Sequence, residues 1–227
     1  MSEAEAEATH ESEAPSPVGL RFDVPPADEA EVVLRVARSF GFRALSSALG
    51  YVLALAVLLL LVRELWALGP WLWICAVAII GSQAARAAVS SRLSVAELGA
   101  VPTYYWAFFA LTMVGAVGWS SLSVAAFSVL GTAPPAVLTV LVVGVISAGS
   151  LGTLSQSDVL HATFLVSILM PTITFCAIQY LLGRDGYWIE IALLMSVAFA
   201  FVLVQGRRLR TEFVRGVLSR VHLDAAR

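Results

Sequence analysis

Four polar side chains within or beside the apolar segments of this chain are candidates for chemistry. Asp158 and His161 are three residues apart, so on a helix they would be neighbours. Such a pair can respond to pH, although a solvated or helix-capping pair is the simpler interpretation. Glu190 lies inside an apolar segment, where an acid indicates function by default, yet close enough to its end to reach water. Arg86, at the end of another apolar segment, completes this set of candidate sensing residues.

Other motifs of catalysis and binding are absent from the sequence. It contains no nucleotide-binding loop, no metal-ligand spacing and no Ser-His-Asp arrangement. We therefore assign no catalytic residue, cofactor or metal ligand and expect no enzymatic activity. The 14 basic residues are all arginine, and without lysine no retinal or pyridoxal Schiff base can form. Cys75 and Cys176 lie in apolar runs and are predicted to be buried free thiols.

Small residues and a proline are candidates for helix packing and bending. Gly144, Ala148 and Gly152 recur every four residues, a spacing that lets helices approach closely in lipid. We therefore predict that this stripe packs against a neighbouring helix. Pro171 lies in the middle of another apolar segment, where it should kink the helix and free a carbonyl group. Such a kink can act as a hinge or remain static.

The elements that position these residues must be membrane-spanning helices. No Asp, Glu, Lys, Arg or His occurs in the 60 residues from Leu98 to Ser157. A soluble surface needs charge, whereas a charge at the centre of a bilayer costs roughly 2.5–3.5 kcal/mol. The composition agrees, with 59% hydrophobic residues, 13% charged residues and a mean hydropathy of +0.86. The sequence predicts an all-α, polytopic membrane protein, a bundle of six transmembrane helices.

The chain divides into four predicted regions. Residues 1–27 form an acidic tail predicted to be disordered, and residues 28–43 an amphipathic helix on the membrane surface or an extension of the first span. Residues 44–204 hold the six-helix transmembrane domain. Residues 205–227 form a helix beyond the last span. The predicted spans are 44–62, 71–88, 103–130 with an interfacial break at Gly118–Ser121, 135–154, 160–182 and 187–204.

The distribution of arginine predicts how the spans are oriented. Ten arginines lie on the side of the termini and only Arg63 and Arg184 on the other, each beside an acid. By the positive-inside rule, both termini are cytoplasmic and the protein lies in the bacterial inner membrane. Aromatic residues at the predicted outer helix ends indicate an interfacial belt. They are Trp66, Trp71, Trp73, Trp119, Tyr187 and Trp188.

The last helix is a candidate for association between two copies of the chain. After a basic run that begins at Arg207, Val214, Leu218 and Val221 are spaced by four and three residues. This spacing is typical of a short coiled coil, and it predicts a homodimer. A basic helix lying at the membrane interface fits the same residues almost as well.

A series of landmarks follows one order along residues 44–223. They are Trp71, Trp73, Arg86, Trp106, Phe109, Gly115, Trp119, the small-residue stretch 144–152, Pro171 and the basic run Arg207-Arg-Leu-Arg210. This order resembles the multi-pass N-terminal sensor regions of bacterial histidine kinases and diguanylate cyclases. The resemblance implies that the helix after the last span feeds a cytoplasmic output domain, usually in a dimer.

The chain departs from that pattern after its last helix. His222 is followed by Leu223-Asp224 instead of the run expected after a phospho-accepting histidine, and the sequence has no kinase ATP domain and no cyclase motif. The chain is therefore either the sensor portion of a longer protein or a separate relative that works with a kinase or cyclase partner.

These observations favour a membrane module that senses a stimulus and transmits a signal to the cytoplasm. The alternatives are a small transporter or permease subunit, or a membrane anchor or assembly factor. Transporters usually show inverted repeats and polar groups near the membrane midplane, and neither is evident in the sequence. The expected partners are the lipid bilayer, a second copy of the chain and an output domain, and no nucleic acid.

Overall fold

The computed structural model describes residues 26–225, and every regular element in that range is helical. The tail predicted to be disordered falls outside this range, except for Pro26 and Ala27. The α-helices are α1 (Pro26–Leu61), α2 (Pro70–Leu93), α3 (Val101–Leu130), α4 (Pro134–Gly149), α5 (Leu151–Leu154), α6 (Asp158–Leu181) and α7 (Tyr187–Ala225). Two short 3₁₀ helices, Arg63–Leu68 and Leu98–Ala100, precede α2 and α3.

Six helical segments in the described range are long and apolar enough to cross a membrane, which confirms the predicted fold class. The fourth of them combines α4 and α5. An even number of crossings returns the chain to its starting side. Accordingly, the Arg43 guanidinium of α1 lies 5.2 Å from the centre of the Phe213 ring of α7. We call this end of the bundle the terminal face and the other end the opposite face.

The first and last spans continue into the helices predicted beside them. Residues 28–43 and the first span form the single helix α1, as in the alternative considered for this region. The last span and the basic helix after it likewise form one helix of 39 residues, α7. Neither junction contains a proline or a residue with positive φ that would interrupt the helix.

Helix α3 is one helix of 30 residues, and the predicted break at Gly118–Ser121 is wrong. Gly118 faces α2 so closely that a Cβ atom there would lie 2.9 Å from Cγ1 of Ile79. Trp119 is fully buried rather than part of an interfacial belt. Gly118 and Ser120 are therefore packing positions inside the bundle, whereas Ser121 is exposed.

Helix α3 is also the centre of the bundle. It packs against α2, α4 and α6, while α1 contacts α2 and α7, and α7 contacts α6. At the opposite face, Trp188 of α7 is buried, with its ring centre 5.5 Å from that of Phe127 in α3 and 5.9 Å from that of Phe175 in α6. Trp188 therefore fixes one end of α7 to the two helices beside it.

The predicted packing of the stripe Gly144, Ala148 and Gly152 does not occur within the chain. Ala148 and Gly152 are exposed, and a Cβ atom at either glycine would meet nothing within 4 Å. The close approaches occur at other glycines, because α4 turns its larger residues inward. A Cβ atom at Gly41 would lie 2.7 Å from the Ser90 carbonyl oxygen, and one at Gly115 would lie 2.9 Å from Nε2 of Gln83.

Candidate functional site

One face of α2 carries the candidate site toward the core. Leu72, Ile79, Arg86 and Leu93 follow one another at seven-residue spacing, and all four are fully buried. The spacing keeps them on one side of the helix. The series is apolar near the opposite face and turns polar toward the terminal face, where Ser82, Gln83 and Ser90 join Arg86 in the core.

Arg86 is held by α1 and α3. Its Nη2 atom donates a hydrogen bond of 2.7 Å to Oγ of Ser47. Its guanidinium carbon lies 4.8 Å from the ring centre of Tyr51 and 5.5 Å from that of Phe108. The side chain is 0% exposed, and the described residues provide no acid beside it. We call Arg86, Ser47, Tyr51 and Phe108 the Arg86 site.

The contacts of Arg86 offset much of the cost of burying its charge, but they leave hydrogen bonds unmade. Removing a guanidinium from water costs several kcal/mol. Two desolvated cation–π contacts contribute about 2 kcal/mol each, and a hydrogen bond from a charged donor adds about 1.5–3 kcal/mol. Among the described residues, Nε and Nη1 of Arg86 nevertheless make no hydrogen bond of normal geometry, and the Tyr51 hydroxyl beside the guanidinium makes none either. A cation in this state attracts any anion or acceptor that reaches it.

Many other polar side chains are buried between the spans, contrary to the expectation of an interior almost free of polar groups. The segment from Ser150 to Ser157 is folded into the bundle, and both side-chain polar atoms of Gln156 lack a hydrogen-bond partner. The buried polar residues toward the terminal face are Ser82, Gln83, Arg86, Ser90, Ser147, Ser150, Thr153, Ser155, Gln156, Ser157 and His161. The sequence did not predict this polar layer, because most of its members are serine or threonine and these uncharged residues do not interrupt an apolar run.

Asp158 forms an ion pair that joins α6 to α7. Its carboxylate accepts a hydrogen bond from Nη1 of Arg210, 52 positions further along the chain. The preceding residue, Ser157, caps α6 by accepting a bond from the Leu160 amide, and its hydroxyl lies 2.7 Å from that of Tyr105 in α3. The predicted neighbour of Asp158, His161, is on the first turn of the same helix. Sequence spacing identified that neighbour but not Arg210.

His161 is buried directly against the backbone of α7. It is 2% exposed, and its Nε2 atom has no hydrogen-bond partner. The residue opposite its ring is Gly206, and a Cβ atom there would overlap the imidazole. Together with the Asp158–Arg210 pair, this contact fixes α7 to α6 where α7 leaves the apolar part of the bundle.

The remaining predicted candidates lie apart from this region. Glu190 is exposed on the first turn of α7, at the opposite face. Pro171 is exposed within α6, and the helix continues through it. The structure therefore brings Asp158 and His161 together at the α6–α7 contact and places Arg86 in the core. It does not connect Glu190 or Pro171 with either.

The helices and the buried polar layer define an all-α, multi-pass membrane protein. Comparison of the chain with protein-family models, curated proteins and solved structures found no match in any of the three. The resemblance to kinase and cyclase sensor regions therefore stays a prediction, and the function has to be argued from the geometry.

Proposed function

We propose that this protein is a membrane signal-transmitting module whose output element is α7. The observation that carries the proposal is the continuity of α7. Its 39 residues extend from Tyr187 at the opposite face to the basic segment beyond the bundle. At a rise of 1.5 Å per residue the helix is about 58 Å long. A rigid helix of that length transmits a displacement at one end to the other.

Contacts inside the bundle hold α7 at two points along its length. Trp188 fixes α7 to α3 and α6 near the stimulus side, and the Asp158–Arg210 pair fixes it near the output side. The Arg86 guanidinium has no acid beside it among the described residues. This makes the packing of α1, α2 and α3 sensitive to an anion or a dipole entering the core. In this proposal, a stimulus changes that packing and α7 carries the change to a cytoplasmic kinase or cyclase output domain. That domain is in the same chain or in a partner.

Replacing Trp188 with leucine should move the terminal end of α7. The smaller side chain removes the contacts with Phe127 and Phe175, and we expect a displacement of about 2 Å. Spin labels at Phe42→Cys in α1 and Ser219→Cys in α7, both exposed positions, would report it as a changed distance distribution in lipid nanodiscs.

The control for this experiment is Trp71→Leu, which alters an exposed tryptophan of the same face. It should leave the label distance unchanged. An unchanged distance in a folded Trp188→Leu protein would contradict transmission through α7. Protein labelled only at position 219 tests the homodimer proposed through Val214, Leu218 and Val221, because two copies of α7 in contact would give a short intermolecular distance.

The orientation that we propose has both termini in the cytoplasm of a bacterial inner membrane. With Arg86 in the core, nine arginines of the described residues 26–225 remain at the terminal face and two at the opposite face. The nine are Arg35, Arg38, Arg43, Arg92, Arg207, Arg208, Arg210, Arg215 and Arg220. This bias is what the positive-inside rule requires of a cytoplasmic side.

Labelling of introduced cysteines tests this orientation. Ala67→Cys and Asp185→Cys, both at exposed positions of the opposite face, should react with an impermeant maleimide in intact cells. Ser219→Cys should react only after the membrane is opened, and it is the matched control. The reverse pattern would mean that the bundle is inserted the other way round.

A second candidate function is a small transporter for anions, which the Arg86 site specifically favours. An anion in the core would supply hydrogen-bond acceptors to Nε and Nη1 of Arg86. Transporters likewise bind their substrates near the middle of the membrane. Anion flux into proteoliposomes that disappears in Arg86→Met would favour transport. If the parent protein shows no anion flux and Arg86→Met abolishes the displacement of α7, the result would favour signalling.

A further inference from the structure

A basic groove lies between α1 and α7 at the terminal face. Four arginines line it, Arg35, Arg38 and Arg43 from α1 and Arg220 from α7, and Glu212 is the one acid among the lining residues that the structure describes. Its volume of about 410 Å³ falls in the range of small-ligand sites. Two turns of α1 and the end of α7 thus present an excess of positive charge to one concave surface.

The groove begins where the uncharged part of α1 ends and extends away from the apolar part of the bundle. Arg43 directly precedes the uncharged segment 44–62 of α1, and Phe213 and Arg220 follow the uncharged segment 191–206 of α7. The apolar part of α1 therefore ends directly at the groove, and that of α7 ends about 10 Å before Phe213. Negatively charged headgroups attract basic residues in this zone.

We propose that this groove is a binding site for a phosphate group, supplied by the headgroup of an anionic phospholipid. Guanidinium groups bind phosphate oxygens through paired N–H donors, which a flexible ammonium does not match. A phosphate held here contacts α1 and α7 at once. The 5.2 Å contact between Arg43 and the Phe213 ring already joins the two helices at that point.

The test compares two triple variants with the same change in net charge. The groove variant is Arg38→Gln/Arg43→Gln/Arg220→Gln. The control variant is Arg207→Gln/Arg208→Gln/Arg215→Gln, which removes exposed arginines that do not line the groove. Binding of a fluorescent phosphatidylglycerol is measured with the full chain in phosphatidylcholine nanodiscs. The groove variant should bind about a hundredfold more weakly than the parent protein, and the control variant less than about tenfold more weakly.

Equal losses in both variants would overturn the proposal, because they would mean diffuse attraction rather than a site. So would the absence of lipid binding by the parent chain. Glycerol phosphate and inorganic phosphate distinguish the source of the ligand. Displacement of the lipid by either at low concentration supports the phosphate site but assigns it to a soluble ligand. Resistance to both supports the site and assigns it to lipid.

If the groove variant fails to fold, Arg43→Lys and Arg43→Gln give the same information singly. Lysine keeps the charge, so it should retain more lipid binding than glutamine, and less than arginine because it cannot form paired hydrogen bonds. Equal binding by arginine, lysine and glutamine at this position would exclude Arg43 from the site and contradict the proposal.

Discussion

Arg86→Met is expected to make the bundle more stable, raising the free energy of unfolding by about 1–4 kcal/mol. Methionine has a similar length and no charge, so it keeps the packing against Tyr51 and Phe108. It also removes a buried cation with two unsatisfied N–H groups. Arg86→Ala should be less stable than Arg86→Met by about 2–3 kcal/mol, since it leaves a cavity in the core. Unfolding in a mixed-micelle denaturant series, followed by tryptophan fluorescence, would measure both.

Arg92→Met is the matched control, because Arg92 is exposed on the same helix. A surface substitution of this kind should change stability by no more than about 0.5 kcal/mol. A loss of about 3–5 kcal/mol in Arg86→Met would show that the guanidinium is fully compensated and structural.

The six spans were predictable because the bilayer imposes its thickness on the sequence. Apolar runs of the required length stand between clear turn signals, and two of these are glycines with positive φ, Gly131 at 62° and Gly183 at 81°. The rule that a charge ends a span gave bounds close to the helix ends at Arg63 and Arg184, whereas α1 and α7 continue as helices past Arg43 and Arg207. The rule failed at Arg86, since it assumes that a charge ends the apolar segment.

The position of Arg86 could have been inferred from the residues around it. Leu72, Ile79 and Leu93 form an apolar series at seven-residue spacing, and Arg86 occupies the remaining position of that series. A charge in such a series faces the core. The Asp158–Arg210 pair had no comparable signal, because its members are 52 positions apart and the packing of α6 on α7 brings them together. Gly206 and His161 are likewise far apart in the sequence and meet only because α6 packs on α7.

The second large effect is expected at Gly206. A methyl group in Gly206→Ala would overlap the buried His161 ring, and α7 would have to move away from α6. Overpacking of this kind costs about 1–3 kcal/mol. The shift would also stretch the Asp158–Arg210 pair, so Gly206→Ala should change the distance between labels at positions 42 and 219 as well as lowering the unfolding midpoint.

Gly81→Ala provides the comparison, because Gly81 lies within a span and a Cβ atom there meets nothing within 4 Å. That change should be neutral or stabilise α2 by up to about 1 kcal/mol, since alanine loses less entropy in a helix. The decisive measurement is the double variant Gly206→Ala/His161→Ala. Removing the ring makes room for the methyl group, so the double variant should be more stable than the two single losses predict, with a coupling of about 0.5–3 kcal/mol. Strictly additive losses would mean that α7 does not rest on His161.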